Sequence, residues 1–161
     1  MKTLIVYDSV FGNTAKVARE IEHALANKAD VRCLHVDAAD EDALRECQWL
    51  IIGSPTRGFV PTKPIQAFIR GLKAEQLQQM HISIFDTRMD VVKVNNIILT
   101  FMVKINGYAN DWMQKQLKSK KVVISGDAGK FIVEESEGPL QPGEMERVSQ
   151  WALAISEGLA V

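Results

Sequence analysis

The run Trp49-Leu50-Ile51-Ile52-Gly53 constrains this chain more than any other stretch. Successive side chains of a strand point to opposite faces of a sheet, and here neither face receives a polar residue. Such a strand has helices above and below it, as a central strand of a parallel sheet does. An antiparallel sheet with one wet face would show polar residues at alternate positions instead.

The rest of the chain supplies the layers that such a strand requires. Lys2–Tyr7 reads as a strand, with the apolar run Thr3–Tyr7, and a helix follows from about Asn13 to Lys28. Its apolar positions Val17, Ile21 and Leu25 recur at helical spacing beside Ala18 and Ala24. Asp30–Val36 is a second strand, and Ala43-Leu44 sits in a short helix opened by Asp40, Glu41 and Asp42. Pro64 starts a helix that carries Ile65, Phe68, Ile69 and Leu72 on one face. Ile82–Phe85 and Val122–Ser125 are the fourth and fifth strands, and Phe131-Ile132-Val133 is either an extra edge strand or an extension of the fifth. The last helix starts near Gly143 and buries Val148, Trp151, Ala152 and Ile155.

Between the fourth and fifth strands lies more chain than one average helix requires. Val94, Ile97, Ile98, Phe101, Met102 and Ile105 form an apolar stripe, and Tyr108, Ala109, Trp112, Met113 and Leu117 continue it past Gly107. Two successive helices with the stripe packed in the core are expected. Strands alternating with helices through short loops give an α/β doubly wound parallel sheet, in a single domain spanning residues 1–161. In such sheets ligands lie beyond the carboxyl ends of the strands, where the strand order reverses. Three loops meet there: Asp8–Asn13, Ser54–Lys63 and Asp86–Asp90.

Composition narrows the partners. A net charge of −1 gives no electrostatic reason for nucleic acid or an anionic membrane. No apolar run approaches the ~20 residues that span a bilayer, and the N-terminus enters a strand with no signal-peptide pattern. Cys33 and Cys47 lack CxxC spacing and read as small buried residues, so the reducing cytoplasm is the expected compartment. His23, His35 and His81 are dispersed and lack metal-ligand spacing, and His35 reads as structural. No residue stands out as a general acid or base, so neither a catalytic residue nor a metal site is expected.

The first loop, Ser9-Val10-Phe11-Gly12-Asn13-Thr14, carries hydroxyls, an amide and a glycine at a helix start. The free N–H groups of a helix N-terminus, with Ser9, Asn13 and Thr14 beside them, form a phosphate cradle that needs no lysine or arginine. A βα turn in which Ser9 or Asn13 only caps the helix is an equal reading of the loop by itself. No GxGxxG follows the first strand and no GxxxxGK[ST] occurs, which excludes dinucleotide and Walker sites of those types. A phospho-acceptor receiver domain of the same topology would need an aspartate where this chain has Gly53-Ser54.

Taken together, the loops resemble those of flavodoxin-like proteins, small carriers of FMN. Ser9–Thr14 is similar to the family's phosphate loop, Gly53-Ser54-Pro55-Thr56-Arg57-Gly58 to its segment along the flavin ring, and Phe85-Asp86-Thr87-Arg88 and Glu137-Gly138-Pro139-Leu140 to motifs of one subgroup. The resemblance covers the full length and implies a five-stranded sheet of order 2-1-3-4-5. It implies FMN as cofactor, with Ser9, Val10, Phe11, Gly12, Asn13 and Thr14 around the phosphate. Pro55, Thr56, Arg57, Gly58 and Phe59 would line one side of the ring, and Thr87, Arg88 and Met89 another.

Three departures accompany the resemblance. Phe11 stands where the family has a hydroxyl residue, the third loop contains no aromatic, and the surface is not strongly acidic. Arg57 and Arg88 place positive charge near the ring or the phosphate, or else pair with Asp86 or Asp90. The expected function is electron transfer by an FMN-binding protein, to a redox partner protein or a small-molecule acceptor. The alternatives are an NAD(P)H-dependent FMN reductase of quinones or similar acceptors, and a flavin-free binding or regulatory module. Phe59, Val60 and the stripe around Phe101 are the candidate faces for a homodimer.

Overall fold

A computed structural model of the chain describes residues 1–91 and 96–159. Its strands are β1 (Lys2–Tyr7), β2 (Asp30–His35), β3 (Trp49–Pro55), β4 (His81–Met89) and β5 (Gly129–Val133). They form one parallel sheet in the order β2-β1-β3-β4-β5, the expected 2-1-3-4-5. The helices are α1 (Asn13–Leu25), α2 (Glu41–Arg45), α3 (Lys63–Gly71), α4 (Ala74–Leu77), α5 (Ile97–Asn106), α6 (Ala109–Ser119) and α7 (Glu144–Glu157). Among the described residues no helix is long and apolar enough to cross a membrane.

The strand period of two divides the core into two layers. Leu4, Val6, Leu50, Ile52, Ile82 and Ile84 face α3 and α6, against Ile65, Ile69, Met113 and Leu117. Ile5, Tyr7, Trp49, Ile51 and Phe85 face α1 and α7, against Val17, Ile21, Val148 and Ala152. Trp49 is fully buried, and its indole N–H donates to Ser83 Oγ at 3.0 Å. Cys33 and Cys47 are buried as expected.

The register aligns Tyr7, Gly53, Phe85 and Gly129 in one row across four strands. Phe85 therefore has a glycine on each side. A Cβ on Gly53 would lie 2.0 Å from Cζ of Phe85, so the ring occupies the space that Gly53 leaves open. Phe85 also meets Phe131 and Trp151, with centroids 6.1 and 6.2 Å away.

Several expectations need correction. α1 ends at Leu25 rather than near Lys28. The fourth strand runs on from Phe85 to Met89, so Asp86, Thr87 and Arg88 lie in the sheet and not in a loop. Their polarity hid the strand, yet Asp86 and Arg88 satisfy one another on one face of it. The fifth strand is Gly129–Val133 rather than Val122–Ser125. Ser125 N–H does donate to the Ile82 carbonyl at 2.7 Å, but the chain joins the ladder only at Gly129, opposite Phe85. Val123 is 85% exposed, because this apolar segment runs along the sheet's edge.

The stripe between β4 and β5 divides into two helices, as expected, but only the second is core. Ala109, Met113 and Leu117 of α6 are buried. α5 buries no residue at all, and Ile97, Ile98, Phe101, Met102 and Ile105 are exposed. Helical spacing of apolar residues identifies a face without identifying what covers it. Val94, also assigned to the stripe, lies outside the described residues.

Candidate functional site

The carboxyl ends of β1, β3, β4 and β5 open into one cavity of about 250 Å³. Val10, Phe11, Asn13 and Thr14 line it from the β1–α1 loop, and Pro55, Thr56, Arg57 and Gly58 from the end of β3. Thr87, Arg88 and Met89 line it from β4, and Val133 and Ser136 from the end of β5. The three segments expected to meet do meet.

The β1–α1 loop is built around Gly12, whose φ of +89° is a left-handed conformation that suits glycine. Ser9 Oγ accepts the N–H of Gly12 at 3.1 Å and that of Ala15 at 3.2 Å, tying the loop to the first turn of α1. The N–H groups of Val10, Phe11, Asn13 and Thr14 have no acceptor among the described residues. Four backbone donors at and just before a helix N-terminus, all on cavity-lining residues, give the loop the chemistry of an anion cradle. This holds alongside the capping role of Ser9.

The side chains of the loop behave differently from expectation. Asn13 sends its amide to the Glu137 carbonyl at 2.8 Å, and so clamps the Glu137-Gly138 turn rather than projecting as a free donor. Thr14 Oγ1 lies 2.8 Å from Thr87 Oγ1 in a buried contact that joins α1 to β4. Ser9 and Gly12 shape the cavity from behind without lining it.

Beyond β3, Arg57 and Val60 pair across a two-residue turn, with N–H to carbonyl distances of 2.9 and 3.3 Å. Gly58 and Phe59 occupy the turn with φ of +54° and +73°, the pattern of a tight hairpin. The phenylalanine is strained there, since bulky residues avoid positive φ. Phe59 does not line the cavity, contrary to expectation. Ser54 anchors the loop by accepting the Thr62 N–H at 3.1 Å.

The cavity floor is a buried polar network. Arg88 donates to both carboxylate oxygens of Asp86, at 2.7 and 2.6 Å. Asp86 also accepts the Asn110 N–H at 2.9 Å and the Thr56 hydroxyl at 3.4 Å. Burial pushes the Asp86 carboxyl's pKa up, and Arg88, the Asn110 N–H and the Thr56 hydroxyl pull against it. The Arg88 guanidinium stacks on Tyr108, 3.7 Å from the ring centroid. Of the two arginines, Arg88 is the one neutralised by Asp86.

Val133, Ser136 and Tyr108 were not foreseen at the site. Val133 and Ser136 arrive because β5 lies further along the chain than its apolar run suggested. Tyr108 arrives because the N-terminus of α6 docks on the floor, where the Ala109 N–H donates to Thr56 Oγ1 at 3.0 Å. No short sequence signal links Tyr108 to Arg88, since the contact is tertiary.

Comparison with known proteins agrees with this architecture. A flavodoxin from the domain Archaea superposes with a TM-score of 0.75 at 15% identity, over 100% of both chains. Oxidised flavodoxin 2 from Bacillus cereus gives 0.70 at 20% identity, covering 98% of this chain and 99% of that one. Two-electron reduced flavodoxin from Megasphaera elsdenii gives 0.68 at 21% identity, covering 94% and 98%. At these identities the likeness is one of fold. Among curated proteins none matches the sequence. The flavodoxin-domain family model matches residues 4–135, and the chain belongs to that family.

Proposed function

We propose that this protein binds one FMN non-covalently in the cavity at the ends of β1, β3, β4 and β5, and transfers electrons. The observation that carries this reading is the set of free N–H groups on Val10, Phe11, Asn13 and Thr14, beside a cavity walled by β3 and β4. The donor set fits a phosphate: it is made of backbone dipoles and a helix N-terminus, and it includes no carboxylate. FMN, when bound, supplies the redox chemistry.

The chain's own residues would do the holding. Backbone N–H groups of the β1–α1 loop bind the phosphate, and Ser9 keeps them aimed. Pro55, Thr56, Arg57 and Gly58 flank the ring on one side, and Thr87 and Met89 on another. The Asp86–Arg88 pair and Tyr108 keep the floor rigid without adding net charge.

An absorbance spectrum of the purified protein, followed by fluorescence titration with FMN and riboflavin, tests the reading. Flavin bands near ~375 and ~450 nm, or binding of FMN far tighter than riboflavin, are expected. A colourless protein with no affinity for either would overturn it and leave a flavin-free binding module. Rapid bleaching of the bound flavin by NADPH would make the protein a reductase of small acceptors rather than a carrier.

A further inference from the structure

Arg57 and Arg88 both line the cavity, and they differ in what answers their charge. Arg88 is 9% exposed and gripped by Asp86 through two hydrogen bonds. Arg57 is exposed and meets no carboxylate among the described residues. Its guanidinium carbon rests 5.2 Å from the centroid of Phe11, which is itself 44% exposed. The backbone of Arg57 is fixed by its pairing with Val60 across the hairpin turn. An anchored backbone thus carries a long cation whose side chain, among the described residues, meets one exposed ring in the neighbouring loop and no carboxylate.

That partner matters for access. Phe11 and Arg57 come from different loops and both line the cavity, so their contact joins two of its walls. The cavity volume of about 250 Å³ falls below the ~300–1,000 Å³ usual for small-molecule sites. A cation–π contact at an exposed position is weak, so it is readily exchanged for a better partner.

We propose, on the FMN reading above, that Arg57 is a movable cation that leaves Phe11 for the flavin ring and favours its reduced form. Two electrons from an external reductant and one proton from solvent turn the neutral oxidised ring into a reduced ring bearing one negative charge. Arg57 gains a Coulomb partner only in that reduced form, whereas Arg88 is already neutralised and discriminates little. A group that binds one redox state better shifts the potential by the ratio of the two affinities.

The test measures FMN affinity of the wild type, Arg57→Gln and Arg57→Lys, with the flavin oxidised and with it reduced by dithionite under anaerobic conditions. The glutamine variant is expected to lose about tenfold more affinity for reduced FMN than for oxidised FMN, the size of a unit charge a few ångströms away in a half-wet site. The lysine variant keeps the charge and should retain most of the preference. Arg57 is exposed, so thermal unfolding of all three should coincide. Equal affinities across the three proteins in both redox states would overturn the proposal while leaving the FMN site standing. Equal losses in both states, absent with riboflavin, would place Arg57 on the phosphate and also overturn it. Failure of the wild type to bind FMN at all would overturn the underlying reading.

Discussion

Asp86 and Arg88 stand two positions apart on β4, share its face toward α6, and join through Nε to Oδ1 at 2.7 Å and Nη2 to Oδ2 at 2.6 Å. Asp86 is fully buried, so its charge has nowhere else to go. Replacing Arg88 by Met should lower the free energy of unfolding by ~3–5 kcal/mol, the cost of leaving one partner of a buried pair alone. Urea titration monitored by circular dichroism measures this. A loss under ~1 kcal/mol would mean that the Asn110 N–H and Thr56 hydroxyl suffice for Asp86.

Gly53 leaves the space that the Phe85 ring fills, and the ring is hemmed in by Phe131 and Trp151. Gly53→Ala should therefore destabilise the fold by about 1–3 kcal/mol through overpacking. Combining it with Phe85→Leu should recover part of the loss, because the smaller side chain vacates the clash. Strict additivity of the two changes in thermal or urea unfolding would show that the ring and the glycine are not coupled.

The layers were legible in the sequence because they rest on local patterns: continuous apolar runs, helical stripes, and glycines and prolines at their ends; the strand order came only with the family resemblance. The site was legible where backbone does the work, at Gly12 and around the Pro55–Gly58 segment. It was illegible where side chains find tertiary partners. Nothing local says that Asn13 turns to Glu137, that Thr14 turns to Thr87, or that Tyr108 stacks on Arg88. β4 looked shorter than it is because a buried ion pair mimics a polar loop. α5 looked like core because periodicity is blind to the neighbouring surface.

The β1–α1 loop depends on Gly12 at φ +89°, where no atom outside its neighbours lies within 4 Å of a built Cβ. Gly12→Ala is thus a test of backbone conformation alone. It should strain the loop by about 1–2 kcal/mol and turn the Val10, Phe11, Asn13 and Thr14 amides out of alignment. On the FMN reading, affinity for FMN falls at least several-fold while affinity for riboflavin, which has no phosphate, holds. Parallel losses for both flavins in fluorescence titration would remove the loop from phosphate binding.

Burial pushes both thiols up, Cys33 and Cys47 each to about 11. At pH 8 the thiolate is then a minor species, and native protein should react with a disulfide reagent far more slowly than unfolded protein, with two thiols released in denaturant. The sign of the linkage follows. Between the ordinary value of 9.0 and about 11, the folded chain holds these protons and the unfolded chain does not. Stability contributed by the two thiols is complete below pH 9 and declines as pH rises through that window. Urea midpoints at pH 8 and pH 10 check it, and the Cys33→Ala, Cys47→Ala double variant should lose that component of the slope.

Adjacent helices of one apolar stripe should answer substitution in opposite ways. Met113 in α6 is fully buried in the layer with Ile65 and Ile69, so Met113→Ala should cost about 2–5 kcal/mol. Ile98 and Phe101 in α5 are 73% and 62% exposed. Ile98→Lys and Phe101→Gln should each change the free energy of unfolding by no more than ~0.5 kcal/mol, as surface changes do. Urea unfolding at several protein concentrations measures both sets. A cost of several kcal/mol at Ile98 or Phe101 that holds at every concentration would mean that α5 packs against its own chain. A cost that grows with concentration would instead show that a second copy covers the helix.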